Sequence, residues 1–200
     1  MPLRDADDRY GGVTKLLHWS TVAAVAATVP LAFVMQDMPA SLDKFRAYGW
    51  HKSIGIAILT VTLVRLAWRL ATPRPAPVEG PAWQARAAAV AHALLYACLL
   101  ALPILGWLHS AAANTPVSVF GLFVLPQPIA PDRALVEPLG EAHALVAWLL
   151  LAVIAVHVLA AFKHHLVDRD RTLLRMLPLA APGGGPGHAV PEDGEDRDGR

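Results

Sequence analysis

The sequence is poor in charge and in cysteine and has no excess of either sign of charge. Charged residues make up 16% of its 200 residues, against about 25% in a typical soluble domain. Its single cysteine, Cys98, excludes an intramolecular disulfide and a cysteine-ligated zinc or iron–sulfur site. The formal net charge is +1, which excludes the strongly basic character of most nucleic-acid-binding proteins, so we expect no nucleic-acid partner.

Charge is also absent from four long stretches, which are otherwise apolar. No Asp, Glu, Lys or Arg occurs in Leu16–Met35, Ser53–Val64, Ala87–Pro131 or Ala142–Phe162. A helix needs about 20 apolar residues to cross the hydrocarbon core of a membrane. The sequence therefore predicts an all-α fold, a four-helix transmembrane bundle with helices at about 14–36, 49–70, 87–110 and 139–164. A soluble helical core is the alternative, but four such runs leave too little polar surface to cover them.

The basic residues predict the orientation of the bundle. Outside residues 178–200, eleven lie on the N-terminal arm, the second-to-third connection and the C-terminal end, whereas four lie on the opposite side: Lys44, Arg46, Lys52 and Arg133. By the positive-inside rule both termini are cytoplasmic, and the side with four basic residues is the outer side.

Two further segments have a distinct composition. The bundle is predicted to occupy residues 1–177, and residues 178–200 are rich in Pro, Gly and acidic residues, so we expect them to form a disordered cytoplasmic tail. The apolar stretch Val117–Leu125 stands between two prolines in the third connection. It is expected to lie along the outer interface as a cap.

Four of the nine histidines form two pairs. His143 and His157 are 14 residues apart on the fourth helix, which places them within about 40° on one face and about 21 Å apart along the axis. His51 begins the second helix at the outer edge, as His143 does, and His18 begins the first helix at the inner edge with His157. Two facing imidazoles are the ligand set of a six-coordinate haem iron. The pattern therefore predicts an outer haem between His51 and His143 and an inner haem between His18 and His157.

Neighbouring residues fit this interpretation. Gly55 and Ala147, each one turn after an outer histidine, leave room beside the ligand helices for a porphyrin. Arg65 shares the face of the outer histidine on the second helix but lies at its inner end, where it could pair with a propionate of the inner haem. Lys52 could do the same for the outer haem.

The other intramembrane histidines allow alternatives. His92 lies near the inner edge, where it could hydrogen-bond a quinone headgroup or simply be a packed histidine. His109 lies at an outer helix end and is expected to be interfacial. His164 is a rival to His157 as inner ligand, or a basic helix end beside the headgroups.

A histidine-based metal transporter is the main chemical competitor. Such a site would require carboxylates among the histidines or a histidine cluster at one depth. The acids nearest the helices all lie at helix ends: Asp37, Asp43, Glu141 and Asp168. This distribution favours haem over metal transport.

Short motifs recur in order on all four predicted helices, from Arg9 to Met176. They are Arg9-Tyr10-Gly11 with Leu17-His18-Trp19; His51-Lys52-Ser53 with Gly55 and Arg65; His92-Ala93-Leu94-Leu95-Tyr96 with Pro103 and Gly106-Trp107; Phe120-Gly121-Leu122 with Pro126; and His143, His157-Val158, Ala161, His164-His165, Arg169-Asp170 and Leu174-Arg175-Met176. Together they resemble the prokaryotic cytochrome b561 family.

The resemblance implies a membrane cytochrome with two b-type haems that exchanges electrons with the quinone pool. At the matching positions it implies His18, His51, His143 and His157 as axial ligands of the iron. It also implies that the chain could oxidise superoxide at the outer face and reduce ubiquinone, as some members of the family do.

The sequence and the resemblance together predict a multi-pass di-haem electron carrier of the bacterial inner membrane, and if an enzyme, a superoxide:ubiquinone oxidoreductase. The four basic residues of the outer side would attract a small anion such as superoxide. An alternative is a haem b anchor subunit that links a periplasmic redox protein, such as a dehydrogenase or hydrogenase, to quinone. A second alternative is a transporter without haem. The oligomeric state stays open.

Overall fold

The computed structural model describes residues 3–5, 9–73, 75–76 and 80–178. Within these residues the chain forms four long helices, a short fifth helix and a two-stranded antiparallel hairpin. Their bounds are α1 Gly12–Asp37, α2 Leu42–Ala71, α3 Ala82–Ala112, β1 Ser118–Val119, β2 Phe123–Val124, α4 Arg133–Leu166 and α5 Thr172–Met176. The predicted four-helix membrane bundle is confirmed. Apart from Pro178, the tail predicted to be disordered lies outside the described residues.

Each long helix has the length and composition to cross a membrane. The longest, α4, has 34 residues and spans about 51 Å, more than the roughly 30 Å of a bilayer's hydrocarbon core. Only about a tenth or less of the most apolar stretch of each helix is buried inside the protein. Most of the apolar surface of these helices is therefore not covered by protein, as expected of helices surrounded by lipid.

The helices extend beyond the predicted ends, because the apolar runs mark only the parts inside the hydrocarbon. Helix α2 begins at Leu42, seven residues before the predicted start, and the Ser41 side chain accepts a hydrogen bond from the backbone N–H of Lys44. Helix α4 begins six residues early, where Asp132 caps the N–H of Ala134 at 2.9 Å. These polar turns project from the apolar spans into the headgroup region.

The helices pack in chain order, α1 on α2, α2 on α3 and α3 on α4. Neither α1 nor α2 packs comparably against α4. We call the boundary between α1 and α4 the seam. At its outer half the rings of Phe33 and Trp148 meet with their centroids 5.9 Å apart.

A small apolar core lies at mid-membrane. Ile58, Cys98, Leu99 and Leu150 are its buried members, drawn from α2, α3 and α4. Side chains of α1, including Val25, pack against it. This core separates the polar residues of the two ends of the bundle.

The hairpin β1–β2 caps the outer end and is fastened to α2 through Ser53. The Ser53 hydroxyl, 2% exposed, donates to the Ser118 carbonyl at 3.0 Å and accepts from the Phe120 N–H at 2.9 Å. The ring of Phe120 also meets that of Trp50, with centroids 5.7 Å apart. The stretch expected as an outer cap thus folds as a hairpin that packs beside the third turn of α2.

The chain closes the inner end by folding back onto α1. The Trp19 indole N–H donates to the Met176 carbonyl at 2.8 Å, and the Lys15 ammonium donates to the Leu177 carbonyl at 3.0 Å. Between α4 and α5, the Asp170 carboxylate accepts a hydrogen bond from Nδ1 of His164 at 2.6 Å. Burial opposes ionisation of Asp170, but hydrogen bonds from Thr172 and His164 outweigh it and lower the pKa of this carboxyl.

Candidate functional site

The structure brings the imidazole rings of His51 of α2 and His143 of α4 close together at the outer end. Their ring centroids are 6.3 Å apart, with 68° between the ring planes. Two imidazoles on opposite sides of one metal ion, each with a metal–nitrogen bond of about 2 Å, have centroids about 6 Å apart. The separation of this outer pair therefore matches that of two axial ligands.

Both outer histidines are hydrogen-bonded through Nδ1. His143 Nδ1 lies 3.0 Å from the Leu102 carbonyl oxygen of α3, and His51 Nδ1 lies 3.1 Å from the Thr28 hydroxyl of α1. A carbonyl can only accept, so Nδ1 of His143 carries the proton, and the Thr28 hydroxyl can accept in the same way. Each ring then keeps the lone pair of Nε2 for a metal, the arrangement typical of metal-bound histidine.

Two adjoining cavities reach the outer pair. One, of about 290 Å³, opens along the seam and is lined by Thr28, Phe33, Ala147 and Trp148. The other, of about 410 Å³, leads to the outer end. Their shared lining includes His51, Gly55, Pro103, His143 and Ala144.

The lining residues next to the pair are small. A Cβ at Gly55 would meet nothing within 4 Å, and Ala147 stands one turn after His143. Both positions were expected to leave room beside the ligands, and both line the seam cavity. The outer site therefore fits a flat, mainly apolar group held by two axial imidazoles.

Lys52 stands at the outer mouth of the larger cavity. Its ammonium donates to the Thr115 carbonyl and hydroxyl, each at 3.1 Å. His109 lines the same cavity, close to Gly140. The mouth therefore presents a cation and an imidazole to the outer side.

A second histidine group lies at the inner end. The rings of His92 and His157 meet with centroids 5.4 Å apart and 64° between their planes. His18 interacts electrostatically with both His92 and His157. Its Nδ1 lies 3.1 Å from the Arg65 guanidinium. The sequence grouped His18 with His157 but did not predict that His92 would pack its ring against His157.

Arg65 decides which nitrogen of His18 is protonated. A guanidinium only donates, so Nδ1 of His18 accepts and the proton of the neutral ring resides on Nε2. Coordination of a metal by Nε2 requires the opposite tautomer, so Arg65 would have to turn to another acceptor, such as a carboxylate. Arg65 and Arg69 also lie over the Tyr96 ring, at 5.5 and 5.6 Å from its centroid. The inner group therefore fits a metal-bound imidazole after one side-chain rearrangement.

One stripe of α2 joins the two histidine groups. His51, Gly55, Ile58, Thr62 and Arg65 follow one another at helical spacing along this stripe. Thr62 is completely buried, and its hydroxyl has no hydrogen-bond partner among the residues that the structure describes. Burial of a hydroxyl without a hydrogen-bond partner lowers the stability of the fold. The Thr62 hydroxyl lies between the outer and the inner histidine groups.

His164 is engaged elsewhere. Its Nδ1 contacts Asp168 at 3.1 Å and Asp170 at 2.6 Å. These contacts belong to the turn that follows α4, which favours the interpretation of His164 as a polar helix end over a ligand in competition with His157.

Sequence reasoning missed three residues that hold the outer pair, namely Thr28, Leu102 and Gly106. Thr28 could have been noticed as a polar residue within an apolar span. Leu102 acts through its backbone and Gly106 through its lack of a side chain. The backbone role of Leu102 leaves no signal in residue type. Gly106 stood in the Gly106-Trp107 motif, but its contact with His143 depends on how α3 meets α4.

Two histidine groups at opposite ends of a four-helix membrane bundle are the arrangement expected of one class of protein, the haem-binding bundles of membranes. The sequence model of the prokaryotic cytochrome b561 family matches residues 9–179. The chain belongs to this family, which implies electron transfer in a membrane by a protein with b-type haem.

Three relatives are similar to this chain in sequence over most of its length. Cytochrome b561 homolog 2 of Escherichia coli K12 is 34% identical over 179 residues, which cover 88% of this chain and 95% of that protein. Cytochrome b561 homolog 1 of the same organism is 31% identical over 176 residues, 86% of this chain and 98% of the relative. The protein named probable superoxide oxidase CybB of Yersinia pestis is 36% identical over 129 residues, 64% of this chain and 73% of the relative.

Proposed function

We propose that the chain carries two haem b groups and transfers electrons between them across the bacterial inner membrane. His51 and His143 would hold the outer haem, and His18 and His157 the inner one. When bound, haem supplies one-electron transfer through its ferric and ferrous states. The observation that supports this most directly is the outer pair, whose ring separation and Nδ1 partners suit axial ligation.

The protein's own residues would set the conditions for this chemistry. Thr28 and the Leu102 carbonyl orient the outer imidazoles and increase their electron donation. The path between the two groups runs past the apolar core. The cations Arg65 and Lys52, at the inner and outer ends, would neutralise haem propionates.

We assign His92 to the exchange of electrons with ubiquinone. Its ring lies against that of His157, so a quinone hydrogen-bonded to the free side of His92 would be next to the inner haem ligand. With both termini in the cytoplasm, this position lies toward the inner leaflet. Ubiquinone takes up two electrons and two protons to become ubiquinol, and an imidazole can both donate a hydrogen bond and pass a proton.

At the outer end we propose superoxide as the electron donor. Each superoxide gives up one electron and leaves as dioxygen, so two are consumed per ubiquinone reduced. Lys52 and His109 line the cavity that leads to the outer pair, so the positive charge that would attract the anion is the Lys52 ammonium at its mouth. A relative is named a probable superoxide oxidase, which agrees with an anion entering here.

The experiment that tests the haem assignment is a reduced-minus-oxidised visible spectrum with haem quantitation on the purified protein. Expression with ample porphyrin should give a red protein with about two haems per chain and sharp α and Soret bands on dithionite reduction. A colourless protein, or one with a single haem, would contradict the proposal. Absence of haem would instead favour a transporter.

The superoxide assignment predicts a strong dependence on ionic strength. The rate of superoxide-driven ubiquinone reduction should fall several-fold between about 10 and 150 mM salt, because the Debye length shrinks from about 30 to 8 Å over this range. Lys52→Gln should lower the rate at low salt and flatten the dependence. A rate that is independent of salt in the wild type would argue against attraction of an anion to this face.

A further inference from the structure

Helix α3 contributes none of the four proposed axial ligands, yet it makes the closest contacts to one of them. The Leu102 carbonyl accepts the hydrogen bond from His143 Nδ1 at 3.0 Å. One turn later, Gly106 faces the same ring. A Cβ built at Gly106 would lie 3.3 Å from Cε1 and 3.4 Å from Nδ1 of His143. The distance to Cε1 is tighter than most van der Waals contacts and that to Nδ1 is at the edge of the ordinary range, so a side chain at position 106 would require the ring to shift by a few tenths of an ångström.

We propose that Leu102 and Gly106 form a positioning element that fixes the tautomer and the rotation of His143. The carbonyl places the proton on Nδ1 and leaves Nε2 free. The missing side chain leaves space for the ring at the distance at which that hydrogen bond forms. This inference rests on the proposed function, since it concerns the ligand role of His143.

The consequence lies in the properties of the outer iron. The hydrogen bond at Nδ1 makes an axial imidazole a stronger electron donor, and ring rotation changes the ligand field. Gly106 is therefore a positioning residue for the outer haem, acting through His143. The inner haem would be held by residues of α1 and of the other end of α4, so its properties should not depend on the residue at position 106.

The test compares Gly106→Ala with Gly49→Ala, a matched change on α2 where an added Cβ meets nothing within 4 Å. In Gly106→Ala the low-spin ferric electron paramagnetic resonance signal and the midpoint potential of the outer haem should both shift. The inner signal, assigned as the one that His143→Ala retains, should stay in place. Gly49→Ala should match the wild type in both signals. Loss of the outer haem alone in Gly106→Ala would be the extreme form of the expected result.

Equal spectra for Gly106→Ala and Gly49→Ala would overturn the inference while leaving the two-haem proposal intact, and a wild type without haem would overturn the latter. If Gly106→Ala does not accumulate, the wild-type protein still provides a test. Electron–nuclear double resonance of the outer ferric signal after transfer to D₂O should show an Nδ1 proton on His143 that is hydrogen-bonded and slow to exchange. A rapidly exchanging or absent proton would refute the assigned role of Leu102.

Discussion

Replacing His143 with alanine is expected to lower the haem content from about two per chain to about one. The remaining ligand, His51, cannot hold a six-coordinate iron by itself, so the outer low-spin signal should disappear. His51→Ala should produce the same loss and leave the same haem in place. Haem quantitation together with redox titration measures both effects.

The matched control is His165→Ala, which removes a histidine from the inner end of the same helix. This variant should retain both haems and both midpoint potentials. The proposed pairing would be wrong if His51→Ala and His143→Ala lost different haems, or if either variant kept two low-spin signals.

Replacing His157 with alanine is expected to remove the inner haem, and His18→Ala should remove the same one. His92→Ala should instead keep both haems and slow electron exchange with ubiquinone by about tenfold, the effect of losing one hydrogen bond worth about 1.4 kcal/mol. The contact between the His92 and His157 rings makes this comparison decisive, because His92 is close enough to be the alternative partner.

Spectra of the three variants separate the possibilities. Loss of the inner haem from His92→Ala but not from His18→Ala would transfer the ligand role to His92. Unchanged ubiquinone kinetics in His92→Ala, with both haems present, would refute its quinone role. Absorption spectra and stopped-flow reduction with ubiquinol in detergent provide the measurements.

Much of the fold could be predicted from the sequence because the bilayer imposes a length rule. Any helix that crosses it must carry about 20 residues with little charge, and four such runs are visible. Fixed helical geometry likewise predicts that His143 and His157 share a face. The length rule did not predict where the helices begin and end, because capping residues such as Ser41 and Asp132 lie outside the apolar spans.

What the sequence could not predict depends on contacts between elements. The His92 ring lies against His157 because α3 packs on α4 over most of its length, whereas helical spacing relates residues within one helix only. The hairpin required the hydroxyl of Ser53 to find two backbone partners more than 60 residues away in the chain. The Nδ1 partners of the outer pair lie on helices that carry no outer ligand.

The weak packing of α4 against α1 and α2 should affect the amount of this protein in the cell. Each proposed ligand pair joins α4 to a helix against which it does not pack well, α2 at the outer end and α1 at the inner end. A group bound between them therefore completes an interface that the polypeptide leaves unfinished, and its binding free energy adds to that of folding. Chains synthesised faster than porphyrin is supplied would keep an incomplete interface between α1 and α4 and would be degraded by membrane proteases. The steady-state amount of the protein should therefore follow the supply of haem.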